Sequence, residues 1–477
     1  MYSLKEKVLY RGSSSQNFYE YIDQMRQRIR KQMEGDEAFL TLAQKALVGD
    51  QDAVQTCLKQ IERQMREYPF SGQIPEEFRG MDMTAALFHE WIGYSVITPW
   101  LLDRRFATSS KMQVVGTSIS YAHQGEYRPY PYPFTSIERV EQLQRSLIRH
   151  DPRVRLDISH PSAELKINDP LWPGRFIRIA MFVPKRVWDG FNTITFRRQI
   201  VEHLTIEEQA GTGLISPEAV PLFKDLVLTS PCFICSGPVE SGKSTFAQTL
   251  IAEQLKQSEI SLGLPIIEQH PESTLPYTEF AKRHRIMPIQ AAAEELMDVA
   301  VQLLRHDPDF VFMSEMRWAE WNVYNFIGEK GYRNLIGTYH TKDAEDIPYQ
   351  GAYAVYAQMG GNLKGHLMAT LKSCEIVAIL EPQRHGKKKL VRLSEIQYDP
   401  DAEHQVKAHD LIRWDPERER WLYSAQISDA LWQRMIRANK DAAERFRNRL
   451  IKLSELYPNP SPYVPSRKCQ VVLEGND

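Results

Sequence analysis

Residues 237–245 read Gly237, Pro238, Val239, Glu240, Ser241, Gly242, Lys243, Ser244 and Thr245. The first eight fit the spacing G-x-x-x-x-G-K-[ST]. Two glycines in such a run let the backbone curl until several amide N–H groups converge on phosphate oxygens. A helix that starts there adds its positive end. Lys243 brings a mobile charge for the β- and γ-phosphates, and Ser244 offers a hydroxyl to Mg2+. The flanks are right for this role. The apolar Phe233, Ile234 and Cys235 precede the loop as a strand, and Ala247, Leu250, Ile251 and Leu255 follow on one face of a helix. The guanine-reading pattern N-K-x-D is missing, since the nearest run is Asn439, Lys440, Asp441, Ala442. ATP is therefore favoured over GTP.

Binding phosphate is not hydrolysis, which needs a carboxylate to polarise the attacking water. The run DFVFMSEMR (309–317) supplies a strand ending in Glu315. An acid at the end of a strand in a parallel sheet faces the mouth where ligands bind. Glu315 is thus the expected water-polarising base. Ser314 stands where many phosphate-loop enzymes place an aspartate. Mg2+ is accordingly expected on Ser244, phosphate oxygens and waters, with carboxylates acting through water.

The elements that position these groups follow from apolar spacing. Short strands are expected at LPIIE (264–268), DFVFM (309–313) and NLIGTYH (334–340), alternating with helices such as that through Leu296, Val299, Ala300 and Leu303. Alternation of this kind implies an α/β domain with a mainly parallel sheet, here over 215–427. Before it, 85–214 reads as a small α+β domain, with strands at VRLDI (154–158), AELKI (163–167), RFIRIAMFV (175–183) and TITFR (193–197). Residues 1–84 read as a helical extension. Phe18, Ile22, Met25, Ile29 and Met33 share one face, opposite a solvated basic face of Arg26, Arg28, Arg30 and Lys31, and a second helical stretch covers 38–68. Residues 428–477 read as one long amphipathic helix, from Leu431 to Leu453, and a proline-rich tail. The lysine run HGKKK (385–389) reads as a solvated hairpin.

Composition bounds the class. The 477 residues include 42% hydrophobic and 25% charged residues, which is globular and permits roughly three domains of about 150 residues. Lys and Arg total 59 against 61 Asp and Glu, a net charge of −2, which excludes a polybasic nucleic-acid coat. The N-terminal MYSLKEKVLYRG lacks a signal-peptide core, so a cytoplasmic location is expected. Five scattered cysteines argue against a disulfide framework. Cys232 and Cys235 read as buried strand residues, a redox pair being the alternative.

Four boxes in order resemble one family. GPVESGKST (237–245) looks like a Walker A box and IIEQHPE (266–272) like an acidic Asp box. LLRHDPDFVFMSEMR (303–317) looks like a Walker B region and GTYHTKDA (337–344) like a His box. Together they resemble the secretion and type IV pilus motor ATPases, hexameric traffic ATPases of type II and type IV secretion, Tad-type pilus assembly and conjugation. The resemblance implies a RecA-like P-loop ATPase domain behind a small PAS-like α+β domain. It implies ATP and Mg2+ as ligands, Glu315 as catalytic glutamate, Glu268 and Glu272 as Asp-box acids, and His340 as the residue sensing nucleotide state. It further implies that Arg175 and Arg197, with Arg198 as alternative to Arg197, reach phosphates across a domain or subunit boundary. A homohexamer at the cytoplasmic membrane face is implied, working on an inner-membrane platform protein, with no direct contact to nucleic acid expected. The cargo (pilin, secreted protein or DNA) stays open. Two positions depart from the family pattern: Gln269 replaces the usual Asp-box aspartate, and Gly331-Tyr332 replaces a Gly-His pair. A nucleotide-gated scaffold with little turnover and a DNA-handling RecA-like ATPase are the alternatives.

Overall fold

Phe18, Ile22, Met25 and Ile29 lie on one face of helix α1 (Ser13–Gln32), and all four are fully buried in the computed structural model of the chain. The structure describes residues 13–474 apart from 33–35, 48–49, 71, 124–125, 150–153, 173–174, 188–189, 199–203 and 384–386. Met33, the segment MYSLKEKVLYRG, and His385 and Gly386 of the lysine run lie outside the described residues. The chain divides into two compact units, Met1–Ile200 and Val201–Asp477.

In the first unit α1 packs with α2 (Asp36–Leu47), α3 (Gln51–Glu67) and α4 (Met83–Trp91) around one apolar cluster. The stretch expected to be helical over 38–68 is split, because the Asp50 carboxylate accepts the Ala53 N–H at 2.9 Å and starts α3 afresh. The basic face of α1 is not simply solvated. Arg28 lies 4.1 Å from the centre of the Tyr68 ring, where the aromatic face attracts the cation.

The same unit holds a six-stranded antiparallel sheet of β1 (Lys111–Val115), β2 (Ser118–His123), β3 (Glu126–Pro129), β4 (Ser162–Asn168), β5 (Phe176–Phe182) and β6 (Thr193–Arg198), in the order β3-β2-β1-β6-β5-β4. Helix α5 (Ile137–Ile148) covers its apolar face with Val140, Leu143 and Leu147. The alternation of β4 and β5 matches the pleat, in-facing residues being buried. VRLDI forms no strand. Asp157 instead accepts the backbone N–H groups of Ser159 and His160, both at 2.7 Å, which turns the chain.

The second unit is built on a ten-stranded mixed sheet. Its parallel part comprises β7 (Phe233–Ser236), β8 (Gly263–Glu268), β9 (Arg285–Gln290), β10 (Val311–Met313), β11 (Leu335–Tyr339) and β12 (Ile376–Pro382), ordered β12-β7-β11-β10-β8-β9. Beyond β12 the sheet turns antiparallel through β13 (Lys388–Tyr398), β14 (Val406–Asp415) and β15 (Arg420–Tyr423), and β16 (Tyr463–Pro465) also pairs with β14. Apolar clusters fill both faces, with Leu250, Ile251 and Leu255 of helix α6 (Lys243–Gln257) on one and Trp321, Tyr324 and Ile327 on the other. This is the α/β, RecA-like phosphate-loop arrangement expected. Cys232 and Cys235 are buried, and burial pushes the Cys232 thiol up to about 12, as befits core residues.

The segment from 428 is two helices rather than one. Asn439 is extended (φ −159°, ψ 101°) between α7 (Asp429–Ala438) and α8 (Lys440–Leu456), and its side chain accepts the Ala442 N–H at 3.0 Å. Phe446 and Leu450 bury α8 against the sheet unit, and Arg445 and Arg449 both bind Asp225, at 2.7 and 2.8 Å. Among the described residues no helix is long and apolar enough to cross a membrane.

Candidate nucleotide site

Strand β7 runs between β11 and β12, and the phosphate-type loop leaves its end at Ser236. Gly237 has φ 144°, and a methyl group there would stand 2.0 Å from the Leu380 carbonyl oxygen, so the close approach of β12 admits glycine only. Gly242 closes the loop at φ 95°. Helix α6 then begins at Lys243 with no side chain capping its first amides, which leaves those N–H groups for an anion. Ser241 Oγ is buried with no hydrogen-bond partner among the described residues. Pro238 is half-buried, Val239 and Glu240 are exposed at the outer rim, and Ser244 and Thr245 occupy the first turn of α6, half-buried. A curled loop, uncapped amides and an orphaned hydroxyl fit a polyphosphate.

Lys243 is buried, and its ammonium donates to the Pro238 carbonyl at 2.8 Å. It also lies 3.4 Å from His340 Nδ1, while His340 Nε2 lies 3.3 Å from Glu315 Oε1. A proton on Nε2 donated to Glu315 leaves Nδ1 to accept from Lys243, so one imidazole joins the cation to the carboxylate. Arg317 holds the other Glu315 oxygen at 3.1 Å. The His340 hydrogen bond, with help from Arg317 and against burial, takes Glu315 down to about 2, so it is ionised at neutral pH. Burial pushes Lys243 down to about 8, opposed by Glu315 and reinforced by Lys388. The His340 segment is fastened by Ser236, whose hydroxyl donates to the Thr341 carbonyl and accepts the Thr341 N–H, both at 3.0 Å.

Glu268, Glu272 and Glu315 line one cleft with Gln269, His270, Ser314, Arg317 and Glu320. Glu268 ends β8, buried, and its Oε1 accepts the N–H groups of Glu272 and Ser273 at 3.0 Å each. Gln269 donates to Glu320, and Glu320 also accepts the Arg317 N–H at 3.0 Å. Gln248 of α6 holds the same loop from the other side through the Thr274 N–H at 3.0 Å. The phosphate loop, Glu268, Glu272 and Glu315 thus share one frame of polar contacts.

Lys243, Ser244, Glu268, Glu272, Glu315 and His340 all belong to this frame, whereas Arg175 and Arg197 lie in the first unit. Arg175 packs 4.7 Å from the centre of the Trp172 ring. Arg197 is exposed on β6, opposite Arg178. Arg198, the alternative, is consumed internally: fully buried, it binds Asp169 at 2.8 Å and donates to the carbonyls of Trp100 and Phe106. Sequence reasoning gave no role to Ser236, Gln248, Arg317 or Lys388. Arg317 stands two positions from Glu315 in the run 309–317, a spacing visible in the sequence. Ser236 and Gln248 carry no signal without the tertiary contacts they make.

No protein-family model matches this sequence, and no curated protein matches it. Among solved structures, it is similar to the VirB11 ATPase of the Brucella suis type IV secretion system, at 17% identity, covering 64% of this chain and 95% of that one with a TM-score of 0.31. It is similar to the pilus retraction motor PilT with bound ADP, at 13% identity over 77% and 93%, TM-score 0.42. The ATPase DotB of Legionella pneumophila is 12% identical over 78% and 93%, TM-score 0.44. These neighbours are ATPases and a pilus motor.

Proposed function

We propose that this chain is a Mg2+-dependent ATPase that assembles as a homohexameric ring. It powers pilus assembly, protein secretion or conjugative transfer through an inner-membrane platform, at the cytoplasmic membrane face. One observation carries the catalytic part: His340 joins Lys243, in the phosphate loop, to Glu315, the strand-end acid.

A triphosphate entering the loop competes for the Lys243 ammonium, drawing it from the Pro238 carbonyl and from His340. His340 then loses one of its two anchors, which is how it registers an occupied loop. Glu315, loosened from His340, orients the attacking water and takes up its proton. The Ser244 hydroxyl and phosphate oxygens would hold Mg2+, which neutralises charge on the β- and γ-phosphates. Glu268 keeps the Asp-box loop in place, Glu272 faces the same cleft, and both acids steer water. Arg175 and Arg197 are the first unit's candidates for neutralising charge on the transferring phosphoryl group.

Gln269 favours a second reading, a nucleotide-gated scaffold, because an amide bound to Glu320 stands where an acid is usual. Steady-state phosphate release by wild type and Glu315→Gln separates the two. The motor reading expects measurable wild-type turnover that the variant loses while still binding ATP. Equal inertness of both proteins, each binding ATP, overturns it.

A further inference from the structure

The run 385–389 is lysine-rich, and its three lysines take three different environments. Lys387 is exposed. Lys389 lies over two indole rings, 4.1 Å from the centre of Trp414 and 4.3 Å from that of Trp421. Lys388, the residue between them, points to the opposite face of β13, as strand alternation requires. Its side chain crosses Gly242: a methyl group on that glycine would stand 3.1 Å from Lys388 Cδ and 3.6 Å from its Nζ.

The hairpin is placed there by the sheet. Strand β12 pairs in parallel with β7, Ile379 opposite Ser236. It then runs on past the end of β7, so that the Leu380 carbonyl meets Gly237, and Pro382 pairs with Lys388 at the rim. The two ends of the phosphate loop, Gly237 and Gly242, are therefore both touched by this one hairpin. Among the described residues the Lys388 ammonium makes no hydrogen bond and no ion pair, and burial alone depresses it, with no carboxylate offsetting the loss of water. It is close enough to Lys243 to disfavour the charge there. Two crowded cations, one lacking any acidic partner, are costly unless an anion joins them.

We propose that Lys388 is a second phosphate-contacting cation of this site, delivered across Gly242 from the β12–β13 hairpin to the bound nucleoside triphosphate. The proposal rests on the phosphate-loop reading and adds to it a residue outside the four boxes. Binding then pulls on the hairpin as well as on the loop, so the antiparallel half of the sheet is tied to nucleotide occupancy.

The test measures ATP and ADP affinity of the full chain as wild type, Lys388→Met, Lys388→Arg and Lys243→Ala. Lys388→Met is expected to weaken ATP binding about tenfold, and Lys388→Arg to recover most of it, because charge-assisted contacts to phosphate are the strong ones. If Lys388→Met binds ATP as wild type does while Lys243→Ala does not, the proposal falls and the phosphate-loop reading stands. If Lys243→Ala itself binds normally, the phosphate-loop reading falls and takes the proposal with it. Acylation of lysines in the wild-type protein, read by mass spectrometry with and without ATP, needs no variant. ATP should protect Lys388 and Lys243 but not Lys387. Unchanged labelling of Lys388 beside a protected Lys243 overturns the proposal.

Discussion

Lys243 and His340 stand 3.4 Å apart, ammonium to Nδ1, so the phosphate-loop cation is tied to the His340 ring. The same ring holds Glu315. Replacing His340 by alanine cuts this connection while leaving the loop intact. ATP binding should stay close to wild type and phosphate release should fall at least about tenfold, an effect on turnover rather than on uniform binding. Equal loss in both quantities would reduce His340 to a packing role.

Gly237→Ala tests the loop geometry. The new methyl meets the Leu380 carbonyl in a backbone region that alanine rarely adopts. Strain of this kind costs about 1–3 kcal/mol. Thermal unfolding should shift downwards accordingly, and ATP affinity should drop because the amides no longer converge. A variant with wild-type stability and affinity would contradict the close approach of β12.

Binding should take up a proton in alkaline solution. Lys243 sits at about 8 instead of its ordinary 10.5, so above pH 8 it increasingly carries a neutral amine. ATP favours the charged form, and affinity should decline by up to about tenfold per pH unit above 8. Calorimetry in buffers of different ionisation enthalpy reads the proton directly. For folding the sign is opposite to that of a paired lysine. Between pH 8 and 10.5 the unfolded chain binds the extra proton, so the cost of burying Lys243 is full below pH 8 and lessens as pH rises through that window. Glu315 behaves as a depressed acid: its contribution to stability is present above 4.5 and is lost as pH falls towards 2.

The first-unit arginines should separate by readout. Arg198→Ala strands the fully buried Asp169 and should destabilise the chain by about 3–5 kcal/mol, seen in denaturant unfolding. Arg175→Ala removes the contact to Trp172 and should slow hydrolysis far more than it weakens ATP binding. Unchanged turnover would return Arg175 to the surface.

Much of this was legible in the sequence because a few spacings are physically demanding. Gly237, Gly242 and Lys243 can form one kind of loop, and the apolar run at 311–313 with Glu315 after it can sit only at a sheet end. Elsewhere local polar chemistry overrode pattern. VRLDI looks like a strand until Asp157 captures two amides. The run from Leu431 to Leu453 looks like one helix until Asn439 caps a second. Lys388 was invisible for a different reason. A lysine between two lysines reads as solvent-facing, and only the pairing of β13 with β12 shows that alternate residues go to indole rings and to the loop. Gln248 and Ser236 act by holding chain segments distant in sequence, so no spacing announces them.

Strand β16 closes over part of β14 at Lys407, Ala408 and His409. Chains cut short after Tyr457 would uncover those amides and carbonyls along an open sheet margin. Such margins pair with one another, so truncated material should self-associate and precipitate even with its catalytic frame intact.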